Sequence, residues 1–140
     1  MTIEEFLLAL LTVDAPAAIT GTLNGRIRFG VIEKGCSYPV ARVTGISNPT
    51  AERTSKGKQH TTKRSLFQID VFDKTYLDTQ QLAQKLGDHL DGYQGVKTDA
   101  SERLIIQLIE VENIKPGYGN ATETHQHSLD LAILYRRETL

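Results

Sequence analysis

A change of period inside one stretch, Arg64 to Leu90, constrains the fold of this chain more than any other feature. Phe67, Ile69 and Val71 alternate with Gln68 and Asp70, the period of a half-buried strand. From there the apolar residues respace. Leu82, Leu86 and Leu90 fall four apart, with Leu77 and Ala83 near the same stripe, which is one face of a helix. Asp73 and Thr75 stand at the change, where short polar side chains can accept the free N–H groups of a helix start. A strand running straight into a helix therefore forms the centre of the fold.

The rest of the chain supplies partners for that unit. Thr2 to Val13 carries Ile3, Phe6, Leu7, Leu10 and Leu11 at helical spacing, with Thr2 and Glu5 placed as a capping box, and Pro16 discourages continuation. Residues 17 to 24 form a connection of small residues. Arg26 to Val31 and Val40 to Ile46 alternate as strands, with Pro39 at the start of the second. Residues 48 to 63 lack an apolar period and read as a long basic loop. Residues 91 to 100 are another loop. Leu104 to Val111 is nearly continuous apolar, 112 to 124 holds a hairpin loop with Pro116, Gly117 and Gly119, and His125 to Tyr135 is a last strand.

The expected order is α-β-β-β-α-β-β. It defines one α+β domain over residues 1–140, with a mainly antiparallel sheet of about five strands and two helices on one face. At 140 residues the chain can bury a sufficient core without a disulfide or metal. The net charge of −1 gives no global pull towards nucleic acid or an acidic membrane. The single Cys36 cannot form an internal disulfide and fits a reducing compartment. Glu4 and Glu5 stand where a signal peptide carries basic residues, so secretion is not expected.

Little in the chain suggests chemistry. There is no phosphate-binding glycine loop, nucleophile elbow, zinc spacing or dinucleotide fingerprint, so no enzyme activity, cofactor or metal is expected. His125 and His127 share a strand face, without a third ligand at matching spacing. Asp70 reads as part of a solvated strand face and Asp73 as a helix cap. Cys36 lacks a neighbouring group to activate it. The basic loop is less bland: Arg53, Lys56, Lys58, Lys63 and Arg64 could contact phosphates or an acidic partner surface, although a solvated loop accounts for them as well. Phe72, Ile105, Ile109, Val111 and Leu134 are apolar beyond what a sheet wet on one face needs. Either both faces of the central strands are covered within one subunit, or a neighbouring subunit covers the second face; on the latter view these five are interface residues.

Three stretches, Thr2 to Leu11, Phe67 to Tyr76 and Ser128 to Glu138, together with the order of elements, resemble the tail-completion proteins of long-tailed phages, also called tail-to-head joining or tail terminator proteins. That resemblance implies a non-enzymatic virion component, assembled in the host cytoplasm. It would form a ring, typically a hexamer, at the head-proximal end of the tail tube. The partners implied are further copies of the chain, the tail-tube protein and a head connector or stopper protein, with passing DNA as a non-specific contact and no membrane. The alternative reading, carried by charge alone, is a small nucleic-acid-binding module using residues 53–64.

Overall fold

The computed structural model describes residues 1–53, 61–119 and 124–140, with backbone alone at 47–53, 61, 118 and 119. Three helices and six strands follow in the order α1 (Ile3–Leu11), α2 (Ala17–Leu23), β1 (Ile27–Phe29), β2 (Val40–Arg53), β3 (Thr61–Asp73), α3 (Tyr76–Leu90), β4 (Gly95–Thr98), β5 (Glu102–Gly119) and β6 (Thr124–Thr139). The protein is α+β, with one sheet in the order β1-β2-β3-β6-β5-β4. Every pairing is antiparallel except that of β1 with β2.

The strand-to-helix unit is β3 followed by α3. The cap is Thr75, whose hydroxyl accepts the Asp78 amide at 3.2 Å; the Asp73 carboxylate accepts the Lys74 amide instead. Leu82, Ala83, Leu86 and Leu90 face the sheet as their spacing predicts, but Leu77 is 64% exposed. Thr2 caps α1 by accepting the Glu5 amide at 3.1 Å. Apolar residues of all three helices enter one cluster with Val43, Phe67, Ile69, Val71, Leu129, Leu131 and Ile133 of the central strands.

Two elements depart from expectation by addition. Residues 17–23 form a helix rather than a connection. Ile19 and Leu23, one turn apart, are enough to bury it, and Asn24 and Gly25 end it at φ +47° and +75°. Residues 95–98 form edge strand β4, joined to β5 by a turn around Asp99. Its carboxylate accepts the Ser101 and Glu102 amides at 2.9 and 2.8 Å, and these bonds hold it down to about 2.

Two loops are shorter than expected. β2 runs on to Arg53 and β3 begins at Thr61, with Thr50↔Arg64, Ala51↔Lys63 and Arg53↔Thr61 in register. β5 likewise continues to Gly119. Neither extension carries the apolar alternation that marks a half-buried strand, so its sequence reads as a loop.

Candidate functional site

The helices cover one face of the sheet, and the opposite face holds the groups of interest. At its centre is Asp70 of β3, only 2% exposed, where the sequence suggested a solvated position. β3 is flanked by β2 and β6, so both neighbours project side chains onto the Asp70 carboxylate. From β2, Arg42 donates through Nε at 3.1 Å and Nη2 at 2.8 Å to Oδ2. Oδ1 accepts from Gln68 Nε2 at 3.0 Å, from Gln126 Nε2 at 3.1 Å and from Ser128 Oγ at 2.6 Å. A buried carboxylate survives only with such partners. The Arg42 guanidinium also lies 5.3 Å from the centre of the Phe72 ring.

Beside this cluster, residues 30–38 fold over the same face and leave a cavity of about 440 Å³ lined by Val31, Cys36, Tyr38, Arg42 and Phe72. Glu33 receives Arg28 Nε at 2.9 and 2.8 Å, which lowers its carboxyl to about 2. The Cys36 sulfur sits 4.0 Å from Arg28 Nη2.

Further along the face lies an apolar band. Register places Val96 beside Ile105, Leu108 beside Leu134, and Ala132 beside Leu66, all pointing away from the helices. Register shifts around Gln107 and Glu112 decide which residues of β5 belong to it. Leu104, Ile106, Ile109 and Val111 turn inwards, whereas Ile105 and Leu108 turn outwards. Two of the five expected interface residues are thereby corrected: Ile109 is 0% exposed in the core, and Val111 packs against it. Phe72, Ile105 and Leu134 remain on the outer face, and Leu108 joins them, a residue the alternation had assigned inwards. Nothing in the sequence marks a bulge at Gln107, so strict alternation could not have found it.

Of the five basic residues, three fall on strands and two outside the described residues. Arg53 lies on β2, with its side chain outside the description. Lys56 and Lys58 fall outside the described residues. Lys63 and Arg64 lie on β3 rather than in a loop. Arg64 Nη2 donates to Glu112 Oε1 at 2.7 Å, joining β3 to β5 across the intervening β6.

His125 and His127 do share the helix-side face, beneath Tyr76, whose ring centre lies 6.0 and 5.0 Å from theirs. His127 is 3% exposed, and among the described residues its Nδ1 has no hydrogen-bond partner. Burial, then the neighbouring His125, lower its pKa below the ordinary imidazole value. Among the described residues no group of three His, Cys, Asp or Glu side chains is placed to hold a metal, and no helix is long and apolar enough to cross a membrane.

No family model matches the chain, and no curated protein matches it at a significant level. Among solved structures, one neighbour has a TM-score of 0.56 at 17% identity, over 86% of this chain and 84% of that one. At that identity the likeness shows a shared fold alone.

Proposed function

We propose that this chain is a tail-completion protein of a long-tailed phage: a non-enzymatic virion component that assembles as a ring, hexameric by preference, on the head-proximal end of the tail tube and joins it to the head connector. The observation that carries the reading, beside the resemblance of its three stretches, is the outer face of the sheet. Leu66, Ile105, Leu108 and Leu134 stand there on a surface that no described helix covers, with Val96 exposed at its border. An apolar band rimmed by Arg64, Glu110, Glu112 and Arg136 has the composition of an assembly surface. A ring needs two different patches per subunit, each meeting the other on its neighbour.

Native mass spectrometry across concentration, with and without tail-tube protein, tests the reading. A ring, or capture by tube ends, is the expected result; a monomer that ignores the tube at every concentration sinks it. Duplex DNA serves as the competing arm. Salt-dependent binding that disappears in an Arg53→Ala, Lys56→Ala, Lys58→Ala variant would favour the nucleic-acid module instead.

A further inference from the structure

The cavity under residues 30–38 has an unused recognition group in its wall, the guanidinium of Arg42. A guanidinium carries five N–H groups. Asp70 Oδ2 takes only the edge formed by Nε and Nη2, at 3.1 and 2.8 Å. One N–H of Nη2 and both of Nη1 are left, and no described residue accepts from them. The outer pair, one from each terminal nitrogen, runs parallel and matches the two oxygens of a carboxylate. The group is also held in place in advance. Asp70 is buried and anchored by Gln68, Gln126 and Ser128, and the centre of the Phe72 ring lies 5.3 Å from the guanidinium carbon. A donor fixed on two sides loses little freedom when it binds.

The rest of the cavity suits a small ligand. Residues 30–38 contain no helix or strand, yet their path is pinned. The Gly30 amide donates to the Val43 carbonyl at 3.0 Å, the Cys36 amide donates to the Glu33 carbonyl at 3.3 Å, and Arg28 holds the Glu33 carboxylate. Val31, Ile32, Tyr38 and Phe72 supply apolar wall, with Val31 77% exposed. The volume of about 440 Å³ falls within the range of small-molecule sites, about 300–1,000 Å³. Among the charged groups that line the cavity and their ion-pair partners, Arg28, Lys34 and Arg42 stand against Glu33 and Asp70, a surplus of one positive charge. One anionic group is therefore favoured, and apolar walls disfavour further polar groups that they cannot pair. We infer that this cavity binds a small organic monocarboxylate with an apolar body, its carboxylate on the open edge of Arg42 and its body between Val31 and Phe72. The inference goes beyond the assembly reading and stands whether or not the chain forms a ring.

Naphthoate, one carboxylate on a flat apolar body, is the probe for calorimetric titration of the full chain. It should bind at one site per chain. Naphthylmethanol keeps the body without the charge and should bind about tenfold or more weakly, the worth of a charge-assisted bond. Cys36 lines the same cavity and is the chain's single cysteine, so its alkylation by uncharged iodoacetamide should slow as naphthoate binds, with the midpoint of the titration. Lys34→Glu reverses the surplus charge and Val31→Asp puts an anion on the apolar wall. Both positions are exposed, so each variant should keep the melting temperature of wild type and bind naphthoate about tenfold or more weakly. Arg42→Lys keeps a cation but has no second edge to offer, and should lose affinity likewise; if it unfolds, the two exposed variants decide. Absence of naphthoate binding, equal affinity for the alcohol, an unprotected Cys36, or exposed variants that bind as wild type does would overturn the site.

Discussion

Asp70→Asn should be among the more damaging conservative substitutions in this protein. The change keeps the shape and removes the charge. Either orientation of the new amide puts its N–H₂ group against donors, namely the two nitrogens of Arg42 or the three donors Gln68, Gln126 and Ser128. With the amide nitrogen towards Arg42, two charge-assisted bonds are lost and a cation faces two N–H donors. Hydrogen bonds to charged groups contribute about 1.5–3 kcal/mol each, and breaking a buried ion pair costs about 3–5 kcal/mol. Arg42 is partly exposed, so solvent screening takes the expected loss to the bottom of that range, about 3 kcal/mol. For a domain of this size that corresponds to a melting temperature lower by roughly 10 °C. Calorimetry at neutral pH measures it, with Asp73→Asn as the control, because Asp73 is partly exposed to solvent and its carboxylate accepts the adjacent Lys74 amide. A melting temperature for Asp70→Asn within about 2 °C of wild type would refute the claim that this cluster holds β2, β3 and β6 together.

Three other expectations follow from the same geometry. His127 binds its proton less readily folded than unfolded, so its contribution to stability is complete above the ordinary imidazole value of 6.5 and is lost as pH falls below it; thermal melts between pH 7.5 and 5 should show the loss, and His127→Phe should flatten it. The bulge at Gln107 separates two adjacent residues: Ile109→Ala should cost about 2–4 kcal/mol in urea unfolding and Leu108→Ala about 1 or less, whereas strict alternation predicts that Leu108 is the inward one. Gly87→Ala should stabilise by up to about 0.5 kcal/mol, since helix propensity favours alanine by somewhat more and the new Cβ meets the yielding end of Ile114 at 3.2 Å; a loss above about 1 kcal/mol would show that Ile114 cannot give way.

Local periodicity alone determined the strand-to-helix unit, the apolar faces of α1, α3 and β6, and the α+β class. Each rests on residues a few positions apart, whose spacing fixes which side they share. Even the core list was readable wherever the period ran unbroken, as from Phe67 to Val71. Tertiary structure decided the rest. Helix α2 forms because Ile19 and Leu23 find a core to enter, and β4 because β5 offers it an edge. Asp70 looks like any outward strand residue until β2 and β6 bring Arg42, Gln126 and Ser128 onto it from 28 to 58 positions away. The membership of the outer apolar band was likewise set by a register shift, a property of the pairing between β5 and β6 that neither strand carries by itself. The opening stretch predicted where the core would be. What lies on its other face, a buried carboxylate and a band of leucines, depended on which strands came to stand beside it.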